Sequence, residues 1–63
     1  MFPLAILRKA KGSRVMVDVK SGSSYDGMLE EIDTFMNLSL SNAVITTYGG
    51  EFSKTEKVYI RGN

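Results

Sequence analysis

The sequence predicts a small, mainly β domain: a short N-terminal α-helix followed by a strongly bent antiparallel barrel of the SH3-like or OB-like kind. Three observations lead there. Apolar residues run at helical spacing only as far as Gly12 and alternate with polar ones afterwards. The alternating runs are short and separated by turn residues such as Ser21-Gly22-Ser23 and Gly49-Gly50. Finally, Gly27 interrupts one run and the alternation slips between Leu29 and Ile32, which are the marks of a bent, bulged strand.

Taken in order, Pro3 suits a first helical position because its missing N–H costs nothing there. Leu4, Ile6, Leu7 and Ala10 form a stripe, and Gly12 fits just past the end, so a helix is expected over about residues 3–11. A helix this short is marginal alone and must dock on something. Val15, Val17 and Val19 then point one way and Met16, Asp18 and Lys20 the other, giving a half-buried strand over about 14–20. A second strand spans about 24–32, through Tyr25, Gly27 and Leu29. After a turn at Asp33-Thr34-Phe35, a third spans about 36–46, with Met36, Leu38 and Leu40 on one face. Thr46 to Thr55 alternates poorly and reads as a hairpin loop. A fourth strand follows at about 56–61. One domain, residues 1–63, accounts for the whole chain, with no internal repeat or linker.

Composition narrows the function. A chain of 63 residues buries only about 60% of its unfolded surface, so its core is marginal unless something else supports it. There is no cysteine, which excludes disulfides, thiolate metal sites and cysteine nucleophiles. There is also no histidine, the commonest metal ligand and general base. No metal or other cofactor is therefore expected, and association with other chains is the expected source of extra stability. The apolar opening from Met1 to Leu7 is too short to cross a bilayer and lacks a basic lead, so neither a membrane partner nor secretion is expected. Net charge is only +1, but Arg8, Lys9, Lys11 and Arg14 precede every acid. They suit either a solvated helix end or a contact surface for an acidic partner.

Enzyme chemistry finds little support. No phosphate-binding glycine signature, serine elbow or metal-ligand pair is present. Glu30 and Glu31 are adjacent and would face opposite sides of a regular strand, so they would not converge on one substrate. Asn37-Leu38-Ser39 fits the N-glycosylation pattern, without a secretion signal to support it. The informative cluster is Asp33-Thr34-Phe35-Met36-Asn37 together with Arg61-Gly62-Asn63. An aromatic ring in a polar turn, beside an amide, can stack on a base and read its edge, while a guanidinium packs on the base. Alternatively, Phe35 folds back into the core, and Asp33 and Asn37 only stabilise the turn through local bonds.

These residues resemble the Sm and Sm-like (LSm) proteins, over nearly every residue from Pro3 to Asn63. Val17, Val19, Gly22, Tyr25, Gly27, Leu29, Asp33, Met36, Asn37 and Leu40 match the first family motif. Ile60-Arg61-Gly62-Asn63 match the second, at the correct internal spacing. The resemblance implies the Sm fold, a bent five-stranded barrel of which four strands fall within these residues, and assembly with other Sm-like subunits into a ring, seven-membered in eukaryotes. In such rings strand four of one subunit pairs with strand five of the next. The family places strand five after Asn63, so ring pairing by these residues alone is not expected.

The resemblance also implies a site for uridine-rich single-stranded RNA. Phe35 would stack on a base, Asn37 would bond its edge, and Arg61 would pack on it. Asp33 would orient the loop, while Gly62 and Asn63 would shape the second loop and donate backbone contacts. Phe35 stands where the family also uses aromatics with a polar handle, so base selection would fall to Asn37 and Arg61. The chain's two ends are similar to a eukaryotic paralogue found in two rings, a nuclear one on the U6 snRNA 3′ end and a cytoplasmic one in mRNA decapping and decay. The implied partners are therefore the U6 snRNA 3′ end, mRNA 3′ ends and other Sm-like subunits, the implied locations nucleus and cytoplasm, and no enzyme activity is implied. The alternative is an SH3-like protein-interaction module, or a ring scaffold without direct RNA readout.

Overall fold

The computed structural model describes residues 10–62. Within them lie four antiparallel strands, β1 (Arg14–Asp18), β2 (Ser24–Ile32), β3 (Leu38–Thr46) and β4 (Phe52–Ile60), in the order β1-β2-β3-β4. Most of the helix expected over residues 3–11, like Asn63, lies outside the described residues. Ala10 and Lys11 belong to a turn that leads into β1, closed by the Ser13 N–H donating to the Ala10 carbonyl at 2.9 Å.

β1 alternates as its sequence requires, with Val15 and Val17 half-buried and Arg14, Met16 and Asp18 exposed. It ends at Asp18 because a tight turn begins at once. The Val19 N–H donates to the Ser23 carbonyl and the Gly22 N–H to the Val19 carbonyl, with Gly22 at φ 92°. That left-handed conformation is free of a Cβ penalty only for glycine.

The β2–β3 register shifts twice, between Asp26 and Met28 and between Leu29 and Glu31. At the first shift β3 carries the extra residue, and Asn42, at φ 48°, supplies the left-handed kink. Leu40 and Ala43 are consequently both buried although three positions apart. Gly27 sits inside this bend. A Cβ there would lie 3.0 Å from the Ser41 carbonyl oxygen and 3.1 Å from the Leu40 Cβ, so the strands approach too closely for a side chain. At the second shift the extra residue is Glu30. The bulge corrects the expectation that Glu30 and Glu31 face opposite sides of a regular strand, since both are exposed.

Two turn boundaries differ from the alternation reading. Residues 46–55 are not a long loop. Thr46 pairs with Phe52, and the Thr47 N–H closes onto the Glu51 carbonyl at 2.7 Å, so β4 starts four residues before the expected position. Most of its residues are polar or aromatic and exposed on both faces, which obscures the period. At the other hairpin, Met36 is not a strand residue. It takes φ 66°, and β3 starts at Leu38.

Leu29, Leu40, Ala43 and Ile60 form the buried cluster, flanked by Val15, Val17, Val19, Tyr25, Leu38 and Val58. Instead of a closed barrel, the described residues form an open bent sheet. Contacts join β1 to β2, β2 to β3 and β3 to β4, and none join β1 to β4. The pair Leu38–Ile60 ends the β3–β4 ladder. It therefore sets the loop before β3 beside the segment after β4.

Leu40 is fully enclosed at 0% exposure. Leu40→Ala is expected to cost about 2–5 kcal/mol, comparable with the whole stability of so short a chain at roughly 0.05–0.15 kcal/mol per residue. Leu40→Met, which keeps the volume, should cost less than about 1.5 kcal/mol. Urea unfolding followed by far-ultraviolet circular dichroism measures both.

Candidate nucleic-acid interface

The loop between β2 and β3 is organised by one carboxylate. Asp33 Oδ1 accepts from the backbone N–H groups of Phe35 and Asn37, both at 2.9 Å, and Oδ2 accepts from Asn37 Nδ2 at 3.0 Å. The backbone adds two bonds. The Met36 N–H donates to the Asp33 carbonyl at 3.0 Å, and the Asp33 N–H to the Asn37 carbonyl at 3.1 Å. A short aspartate suits this position because its carboxylate reaches the N–H two residues on and mimics a backbone turn. The closed loop holds Met36 in the left-handed region at φ 66°, a conformation that costs a side-chain-bearing residue roughly 1–2 kcal/mol. It also leaves Phe35 at the tip with its ring 77% exposed. Phe35 does not fold back into the core.

Asn37 joins this loop to the segment after β4. Its Oδ1 accepts the Gly62 N–H at 2.7 Å while its Nδ2 serves Asp33. The two partners fix which end of the amide is which, since a carboxylate only accepts and a backbone N–H only donates. Within the described residues one N–H and one lone pair of the same amide remain unused. Gly62 is confined as well. A Cβ there would overlap the Phe35 carbonyl oxygen and lie 2.6 Å from the Met36 carbonyl carbon. Glycine is required because backbone packs on backbone.

Arg61 is exposed and lines, with Asp33 and Asn37, a cleft of about 560 Å³. Among the described residues it forms no ion pair. The structure thus brings Asp33, Asn37 and Gly62 into direct contact and sets Phe35 and Arg61 beside them. Asn63 lies outside the described residues. The sequence reading passed over Lys57 and Tyr59, which line the same cleft from β4. Their signal was the period-two spacing with Arg61, on the strand face turned away from Ile60.

The hydrogen bonds donated by Asn37, side chain first and then backbone, lower the Asp33 pKa below its ordinary 3.8, with a smaller effect from the Phe35 N–H. No group of three or more acidic side chains that could hold a metal occurs among the described residues.

The LSM domain model matches residues 5–63. The chain belongs to the LSM-domain family. Among its relatives, the probable U6 snRNA-associated Sm-like protein LSm4 of Dictyostelium discoideum is 41% identical over 64 residues, covering 100% of this chain and 36% of that protein. The Sm-like protein LSM4 of Arabidopsis thaliana is 39% identical, covering 100% of this chain and 50% of that protein. The chain thus spans half or less of the length of these two relatives. Its fold is shared with the Sm protein of Pyrococcus abyssii solved in complex with a uridine heptamer, at TM-score 0.87 and 27% identity, over 98% of this chain and 87% of that one. A heptameric archaeal Sm protein superposes at TM-score 0.80 and 28% identity, over 92% of this chain and 84% of that one. This LSM chain is therefore an Sm-like protein similar to proteins named LSm4, and its four antiparallel strands share the fold of these Sm proteins.

Two outcomes are expected at this interface. Gly62→Ala should separate the two segments, seen as faster hydrogen exchange at the Gly62 and Asn37 amides, while the amides of the β1–β2 ladder keep their protection. The second concerns pH. Folding lowers the Asp33 pKa, so its ionisation stabilises the loop fully above the ordinary value of 3.8. That contribution is lost as pH falls further, through the lowered value. Protection of the Phe35 and Asn37 amides, corrected for intrinsic exchange, should be unchanged between about pH 7 and 5 and should fall only below about pH 4.

Proposed function

We propose that this chain is an RNA-binding subunit of a heteroheptameric Sm-like ring that takes uridine-rich single-stranded RNA at Phe35, Asn37, Arg61, Gly62 and Asn63, with Asp33 orienting the loop. The observation that carries the reading is the fixed amide of Asn37, held between Asp33 and Gly62 beside an exposed aromatic ring and a guanidinium. Uracil presents an N3–H donor next to an O4 acceptor, and the unused lone pair and N–H of Asn37 complement that order. Cytosine presents the reverse, an N3 acceptor next to an amino donor. A free amide would serve either base by turning over. Here turning over would set Nδ2 against the Gly62 N–H and Oδ1 against the Asp33 carboxylate, so the amide is committed to uracil.

Phe35 supplies a stacking face worth roughly 1–3 kcal/mol per base. Arg61 packs on the base and adds charge toward the phosphates. Gly62 shapes the second loop by giving its N–H to Asn37, and Asn63 after it contributes a backbone donor. No step in this reading calls for an acid, a base or a metal, and the role is that of a binding subunit without enzyme activity.

The relatives support the cellular side of the proposal. Those named U6 snRNA-associated support a ribonucleoprotein role on U6 snRNA, which by the family resemblance we place in the nucleus, in pre-mRNA splicing, at the 3′ end of that RNA. By the same resemblance we assign the chain to the cytoplasmic ring that acts on mRNA 3′ ends in decapping and decay. Among the described residues β4 is an edge strand, the natural place for a strand of the neighbouring subunit.

In the assembled ring, Asn37→Ala removes two base-edge hydrogen bonds of about 0.5–1.5 kcal/mol each. The expected loss is therefore about five- to a hundredfold in oligouridine affinity, measured by fluorescence anisotropy, without loss of assembly. Asp33→Asn, which lets the amide turn over, should narrow the preference for oligouridine over oligocytidine. Unchanged oligouridine binding by Asn37→Ala would overturn the assigned role.

A further inference from the structure

Lys57 and Tyr59, two apart in β4, share the face turned away from buried Ile60, and Arg61 follows just past the strand's end in the same cleft. Tyr59 is 76% exposed, and its cross-strand neighbour is the small Ser39, so nothing on β3 covers the ring. Lys57 Nζ stands over one face of that ring, 5.6 Å from its centre, which leaves the opposite face for a base. Both residues line the cleft of about 560 Å³ that Asp33, Asn37 and Arg61 also line, whereas Phe35 does not line it. The cleft is continuous with the proposed base site and within the size range of about 300–1,000 Å³ that small ligands occupy. The two acids that also line it, Asp33 and Glu31, are engaged, Asp33 by three hydrogen bonds and Glu31 by Lys11 Nζ at 3.2 Å. The cations Lys57 and Arg61 stand at either side of Tyr59 along the chain, and residues two apart on a strand are about 6.8 Å apart.

We infer that Tyr59 and Lys57 form a second nucleotide subsite, which takes the nucleotide adjoining the one held at Phe35 and Asn37. Tyr59 stacks on its base and Lys57 contacts its phosphate. The occupant is RNA rather than a protein segment because the cleft opens directly onto the base site and carries cations along its length. An aromatic face with flanking cations is also the general arrangement for single strands of any sequence. Stacking has no donor–acceptor code, so this subsite adds affinity without base preference, whereas Asn37 supplies the preference. The inference rests on the RNA-binding function proposed above and adds to it a second, sequence-tolerant contact per subunit.

The test uses the full chain assembled with its Sm-like partners, binding labelled oligouridine and oligocytidine over a range of salt. Tyr59→Leu is expected to weaken both oligonucleotides by a similar factor, about five- to a hundredfold, and so to leave the uridine preference unchanged. Lys57→Gln should reduce the slope of log affinity against log salt by about 0.7, the value for one phosphate contact on a single strand. Photo-cross-linking with 4-thiouridine should reach Tyr59 as well as the loop at Phe35. Full affinity in both variants with no cross-link at Tyr59, while Asn37→Ala still weakens binding, would overturn the second subsite and leave the base site standing. A Tyr59→Leu chain that no longer enters the ring, with the Lys57→Gln salt slope unchanged, would make this face a subunit contact and overturn the inference equally. Indifference of oligouridine binding to Asn37→Ala would instead remove the function on which the subsite rests.

Discussion

One side chain holds the candidate site together. Asn37 gives its amide N–H to the Asp33 carboxylate and takes the Gly62 N–H on its oxygen, linking the loop before β3 to the segment after β4. That link joins the two segments that carry the site. Phe35 is held outward because the Asp33 carboxylate fixes the loop backbone beneath it. Arg61 is brought to the same cleft because Gly62 packs on the Phe35–Met36 backbone. The strained left-handed Met36 is the local cost of this closed geometry.

The sheet exists, from the site's standpoint, to make that link possible. A flat antiparallel pair would carry β3 and β4 straight on. The left-handed Asn42, the bulge at Glu30 and the close approach at Gly27 fold the sheet over a small core of Leu29, Leu40, Ala43 and Ile60. The Leu38–Ile60 pair then closes the ladder where the two loops must meet. Selectivity follows from rigidity. An asparagine without fixed partners reads nothing reliably, because its amide can present either order of donor and acceptor. One flanked by an obligatory acceptor and an obligatory donor presents a single order.

Much of this was legible in the residues. The valine alternation of β1, the bend at Gly27 and the slip after Leu29 each have a direct counterpart in the sheet, because backbone sterics and the period of two act locally. Asp33, Phe35 and Asn37 stood out because an aromatic in a polar turn has no obvious packing role. Other features were not legible because they depend on tertiary contact. The early start of β4 is set by Thr46 pairing with Phe52, through residues whose own pattern is ambiguous. The dual bonding of Asn37 needs Gly62, which is distant in sequence and near only through the β3–β4 ladder. Lys57 and Tyr59 carried no signal of their own beyond their spacing until the fold set them along the cleft that Arg61 also lines.

The central claim is that the Asn37 amide is fixed in one orientation and meets uracil with its remaining donor and acceptor. It is tested most directly by the side-chain ¹H–¹⁵N resonances of Asn37, with this subunit alone labelled in the assembled ring. The account predicts two well-separated Nδ2 proton signals in the free protein, the downfield one bonded to Asp33. Oligouridine should shift the other strongly, and oligocytidine at the same concentration should leave it in place. Oligouridine binding that leaves both signals unmoved, or an equal response to oligocytidine, would contradict it.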